Sequence, residues 1–350
     1  MDKLKQFLKW GLLSVILQCL VLFVFDKFYF KLNSDVNVKA IDIASQHIKE
    51  NNDVKLPGNM MDKKISYDGE YIAYLNNNDE LKVFNTLKDD ESHVDIENEK
   101  ASYYTWLRDR NRLIVITNIK YNNNKKNTVN LYSIDVDTNK TKKIELGNMN
   151  SSYKVNEITV STKTGVIYIE FKNEDTKESI VKRIDNNDDV TDVKLVTNSP
   201  GNIEIMPRAD RLVYDSEKES GIYLTQPNKK LGINPVYKVR LLGVDETGNI
   251  YFGEIKDNKV FKIVYGNVEK SIDTWNKIPL EKSLELNKIY IGKDGEIYVL
   301  EEEQKIVKDV KNGKEYKYEG DFLQMYSNGF ATIINGNKLH RVYFDSSQNT

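Results

Sequence analysis

The chain has 350 residues, is 39% hydrophobic and 30% charged, and carries a formal charge of −2 with a single cysteine, Cys19. That charge balance gives no basic footprint for nucleic acid, and one cysteine excludes an intramolecular disulfide or a cysteine-based metal site. The apolar content is lean for one deep core and suits thin modules that each bury one or two faces.

In chain order, residues 1–31 read as a cytoplasmic stub and a transmembrane signal-anchor helix. Trp10–Phe25 contains 16 residues without a charge, and extending it over Phe7, Leu8 and a snorkelling Lys9 gives about 28 Å of helix. Lys3, Lys5 and Lys9 precede the run against one acid, Asp2, which favours a cytoplasmic N-terminus. Phe28, Tyr29 and Phe30 suit the outer interface. A cleaved signal peptide fits worse, because Asp26-Lys27-Phe28 offers no small-residue cleavage site. A lipoprotein anchor fits no better: Gln18 stands before Cys19, where a small residue is required.

Residues 32–58 read as a juxtamembrane stalk. Ile41, Ala44 and Ile48 recur at helical spacing, so a short helix is predicted over Ile41–Lys49. Pro57-Gly58 marks a turn.

From residue 59 to 345 a turn followed by an apolar-aromatic strand recurs seven times. The copies include Asp68-Gly69-Glu70-Tyr71-Ile72, Thr247-Gly248-Asn249-Ile250-Tyr251 and Asp294-Gly295-Glu296-Ile297-Tyr298. Their second residues fall at 69, 110, 165, 210, 248, 295 and 329, a spacing averaging about 43 residues, which is that of four-stranded propeller blades. Asp-Gly and Asn-Gly pairs favour two-residue hairpin turns, and each copy is followed by a further strand such as Leu81-Lys82-Val83-Phe84. The predicted fold is an all-β propeller of about seven four-stranded blades, six or eight remaining open, with residues 346–350 as a tail. Val54–Ile65 is the predicted partner of the last blade, closing the ring.

The run Ile65-Ser66-Tyr67-Asp68-Gly69-Glu70-Tyr71-Ile72-Ala73-Tyr74 with Leu81-Lys82-Val83-Phe84-Asn85 resembles the repeat of TolB-like and WD-like propellers. It also resembles the propeller of the prolyl-oligopeptidase and dipeptidyl-peptidase families. The resemblance implies the fold across most of residues 60–345. The α/β-hydrolase domain of those peptidases has no counterpart here, and no G-x-S-x-G nucleophile turn occurs.

No residue is assigned to catalysis, to a cofactor or to a metal. His47, His93 and His340 lie in unrelated segments. Asp135-Val136-Asp137-Thr138-Asn139-Lys140 begins like a calcium loop, but Lys140 occupies the position of the required glycine. Asp185–Asp189 with Asp192 reads as turn chemistry. Tyr103, Tyr104, Trp106 and Trp275 form the candidate binding surface, with packing between blades as the commoner fate of such rings. The loop Asn122–Asn127 lengthens the second repeat. The functional expectation is a membrane-anchored, extracytoplasmic, non-enzymatic module that binds an envelope protein or surface polymer in the bacterial cell envelope. Two alternatives stand beside it: a polysaccharide hydrolase or lyase using channel carboxylates, and a ligand-sensing receptor.

Overall fold

The computed structural model describes residues 2–28, 54–58, 60–120, 126–233 and 237–344. The predicted helix at Ile41–Lys49, His47 and the loop tip 121–125 lie outside the described residues. The chain forms two compact units, 1–51 and 52–350.

In the first unit an α-helix runs over Asp2–Phe28, 27 residues. Among the described residues no helix is long and apolar enough to cross a membrane. The expected transmembrane span is therefore not carried by the structure. Asp2, Lys3, Lys5 and Lys9 occupy the first third of the helix and leave a charge-free run of 16 residues, short of the roughly 20 that a bilayer requires.

The second unit is a seven-bladed β-propeller, each blade an antiparallel sheet of four strands. Blade 1 is built from Met61–Ile65, Tyr71–Leu75, Leu81–Asn85 and Asp90–His93, and the next five repeat the meander. Their first strands are Ala101–Trp106, Tyr153–Ser161, Pro200–Ile205, Lys238–Val244 and Ile289–Ile291. Blade 7 begins at Asp321–Tyr326 and takes its fourth strand from the other end of the unit. Val54 pairs with Leu339 and Lys55 with Lys338, and the N–H of Leu56 reaches the carbonyl of Asn337 at 2.8 Å. Closure thus needs only the start of the expected Val54–Ile65 segment; Met61–Ile65 opens blade 1 instead.

The seven recurrent turns each join the first and second strands of a blade. Their geometry differs from the predicted two-residue hairpin. In blade 1 Ser66 accepts from the N–H of Gly69 at 2.9 Å and donates its own N–H to Tyr71 at 2.8 Å, a tight turn ending on glycine in the left-handed region. Gly69, Gly165, Gly248, Gly295 and Gly329 all have φ between 72° and 87°, which side chains resist. Blades 2 and 4 lack that glycine and turn differently, the N–H of Arg112 reaching the carbonyl of Arg110 and that of Arg211 reaching Ala209, both at 2.8 Å.

Seven apolar clusters form the core, one at each junction of neighbouring blades. Tyrosine makes up for the lean composition. Tyr74, Tyr104, Tyr132, Tyr168, Tyr214, Tyr223 and Tyr251 are all but fully buried. Their rings add large apolar area while each hydroxyl seeks a partner. The Tyr168 hydroxyl donates to Asp210 at 2.7 Å and that of Tyr251 to Asp245 at 2.8 Å.

Candidate functional site

The first strand of every blade is a sheet edge, and the first strands of neighbouring blades meet around the central channel. Each edge bears backbone N–H and C=O groups that no further strand satisfies. In blades 1, 2 and 4 side chains of neighbouring first strands take over that role. Gln324 of blade 7 accepts from the N–H of Ile65 and donates to its carbonyl, both at 3.4 Å. The Trp106 indole donates to the carbonyl of Lys64 at 2.8 Å, and the Lys64 ammonium to that of Tyr104 at 2.8 Å. Glu157 and Thr159 of blade 3 accept from the N–H groups of Ile203 and Ile205, each at 3.1 Å. At the junction of blades 4 and 5, Asn202 donates to the Leu241 carbonyl at 2.9 Å, and the Leu241 N–H reaches Asp215 at 2.6 Å.

A cavity of about 510 Å³ occupies this channel, within the range of small-ligand sites. Its walls are chemically unequal. Lys63, Lys64, Arg108 and Glu204 stand on the arc of blades 1, 2 and 4, whereas Leu242, Val244, Ile289, Ile291 and Met325 line the arc of blades 5, 6 and 7.

The charged arc is wired across the ring. Arg108, in the first turn of blade 2, skips blade 3 to pair with Glu204 of blade 4 at 2.6 Å, while its side chain stays 61% exposed. The charge of Glu204 raises the Arg108 guanidinium above its ordinary value. Thr159 donates to the other oxygen of Glu204 at 3.0 Å. A second ion pair skips a blade in the same way, from Lys163 of blade 3 to Glu246 of blade 5. Burial, with the Glu204 charge second, pushes the Glu157 carboxyl up to about 8. Burial also lowers the Lys64 ammonium and raises the Tyr103 phenol to about 12.

Of the candidate surface residues, Trp106 lines the cavity, but only 8% of it is exposed. Tyr104 is buried and donates its hydroxyl to the Asp62 carbonyl. Tyr103 is half-buried under the Lys64 ammonium, 4.4 Å above its ring. Trp275 belongs elsewhere: it packs on Phe252 in the core between blades 4 and 5 and lines a separate cavity of about 330 Å³. The four therefore form no single surface. His93 is exposed on the outer strand of blade 1 and His340 half-buried in blade 7. Asp135 accepts from Thr138 at 3.0 Å and pairs with Arg112 at 2.9 Å, while Asp185 accepts from the N–H groups of Asn187 and Asp189. These carboxylates serve their own turns and neighbours. Among the described residues no cluster of three His, Cys, Asp or Glu side chains could hold a metal ion.

No protein-family model matches the chain, and no curated protein is significantly similar to it. Solved structures do resemble it. An oligogalacturonate lyase in complex with manganese superposes with a TM-score of 0.55 at 9% identity, covering 84% of this chain and 91% of that one. An oligogalacturonate lyase from Vibrio parahaemolyticus gives 0.55 at 8% identity, with 85% and 92% covered. A dipeptidyl peptidase 4 from Porphyromonas gingivalis reaches 0.48 at 13% identity, and the match covers 75% of this chain and 45% of that enzyme. At such identities the likeness is one of fold alone. The expected propeller fold holds at that level.

Proposed function

We propose that the protein is a membrane-anchored, extracytoplasmic binding module that takes part of an envelope protein or surface polymer into its central channel without chemical turnover. One observation carries the reading. The channel holds a cavity of about 510 Å³ in which the exposed Arg108 and the half-buried Lys63 and Lys64 face an apolar wall, a combination that the packing of blades does not require. Anchoring draws support from the helix itself. Trp10, Leu13, Val15, Leu17, Leu20, Val21 and Leu22 are exposed on it, and apolar groups on every side of a helix call for apolar surroundings.

The test places a photo-crosslinking residue at Thr105 on the channel wall and, as a control, at Val196, which is exposed outside it. The full-length protein should be recovered in alkaline-washed membranes and form a discrete adduct from position 105 alone. Equal adducts from both positions, or none from 105, would refute channel binding. Recovery in the wash would refute anchoring.

A second reading draws on two carboxylates of neighbouring first strands, of which Glu204 lines the cavity. Glu157 holds a proton near neutrality beside Glu204, which is paired with Arg108, and unequal carboxylates are the equipment of acid-base cleavage of sugars. Oligosaccharide turnover by the wild type that disappears in both Glu157→Gln and Glu204→Gln would replace the binding reading.

A further inference from the structure

The channel edges are unequally covered. Among the described residues, side chains hydrogen-bond to the backbone of the first strands of blades 1, 2 and 4, and of blade 5 at Val239 and Leu241. None does so at Leu242–Val244 or at Ile289–Ile291. Within those stretches the N–H of Ile289 is held by Leu286. The remainder is open sheet edge whose side chains Leu242, Val244, Ile289 and Ile291 border the cavity. Facing it stand Lys63, Lys64 and Arg108 against the one acid of the cavity wall, Glu204. Arg108 uses a single nitrogen on Glu204. A guanidinium has five N–H donors in a planar fork, so most of them stay free for another acceptor. The Lys64 ammonium spends one of its three donors on the Tyr104 carbonyl.

A bare strand edge selects an extended chain, because only such a backbone offers donors and acceptors at the strand repeat. Its successive side chains point to opposite sides. One wall here is apolar and the other carries a surplus of positive charge, so the complementary chain alternates apolar and acidic residues.

We propose that the channel binds an extended acidic peptide segment, its backbone adding to the bare edges at Leu242–Val244 and Ile289–Ile291 and its carboxylates meeting Arg108 and Lys64. This inference rests on the channel being the binding site. A cavity of about 510 Å³ has the volume of a short segment rather than of a folded domain. A free small acid would use the cations but leave the edges uncovered.

The experiment is calorimetric titration of the full-length protein in detergent with four probes. These are an alternating Val/Glu octapeptide, its Val/Lys counterpart, the Val/Glu peptide N-methylated at every second residue, and free glutarate. The Val/Glu peptide should bind at least tenfold more tightly than the other three, and Arg108→Gln should weaken it about tenfold while leaving the Val/Lys peptide unchanged. Binding of the Val/Lys peptide as tight as that of the Val/Glu peptide would overturn the acidic class. Undiminished binding of the N-methylated peptide would overturn strand addition, and glutarate binding as tightly would replace the peptide by a small acid. If no probe binds while position 105 still gives its adduct, the peptide class alone falls. If neither occurs, the channel reading falls with it.

Discussion

The two arcs of the channel are built from the same strand of the same repeat, yet side chains cap the strand backbone at different places on them. Blades 1, 2 and 4 have their inner backbone covered by Gln324, Trp106, Lys64, Glu157 and Thr159. Blades 5 and 6 leave Leu242–Val244 and Ile289–Ile291 uncovered beside an apolar wall. An apolar cluster holds every junction of the ring, capped or not. The asymmetry teaches that the channel lining is free to specialise, and that polar groups there divide between satisfying an edge and facing a ligand.

The sharpest break in this comparison lies where the two arcs join. Asp215 is fully buried between blades 4 and 5. It accepts from the Leu241 N–H at 2.6 Å and pairs with Arg240 at 2.9 Å. Its other oxygen crowds Gly201, where a Cβ would stand 1.9 Å away. Asp215→Ala leaves a half-buried guanidinium and a buried N–H without their partner, and breaking such a pair costs about 3 kcal/mol. Urea unfolding should show that loss, with Asp215→Asn intermediate. A midpoint unchanged in both would mean that the junction needs no polar cap.

How far the sequence discloses these features depends on whether they are local. The blades are legible because a glycine at positive φ is a local requirement, repeated at Gly69, Gly165, Gly248, Gly295 and Gly329, and even the glycine-free turns keep their place. Ring closure through Val54 is legible because a meander of three strands lacks a fourth. Much of the cavity is legible in principle too. In five of the seven blades the residue five before the turn marker, Lys64, Thr105, Gly243, Tyr290 or Gln324, lines it; in blades 3 and 4 the same offset gives Val160 and Ile205, which do not. Glu157 and Glu204 escape that rule. They stand eight and six residues before their markers at 165 and 210, so no single offset finds them. The pairing of Arg108 with Glu204 spans 96 positions and no local pattern announces it. Trp106 and Trp275 look alike in sequence but end in different cores, because aromatic character alone does not say which junction a ring fills.

A smaller effect separates edge-capping from ligand contact at Glu157. Its carboxyl is pushed from the usual 4.5 to about 8 in the folded protein. Between those values the native state holds a proton that the unfolded chain has released, so stability declines as pH rises through that window. Glu157→Gln mimics the protonated form and keeps an acceptor for Ile203. It should match the wild type below pH 4.5 and exceed it by about 2 kcal/mol above pH 8, after allowance for partial exposure. Thermal midpoints measured from pH 4 to 9 would show the two curves diverging. Parallel curves would mean that Glu157 stays ionised and serves the channel as a charge.

The smallest expected effect on stability falls on the residue with the largest expected effect on binding. Arg108 is mostly exposed, and its partner Glu204 keeps the hydrogen bond from Thr159 when the guanidinium is removed. Exposed ion pairs contribute about 0–1 kcal/mol, so Arg108→Gln should unfold within about 1 kcal/mol of the wild type in urea. A loss of 3 kcal/mol or more would assign Arg108 to the same structural duty as Asp215 and erase the distinction between the capped arc and the ligand-facing one. A small loss together with weakened peptide binding would place it among groups held out to a partner, since the ring stands without it.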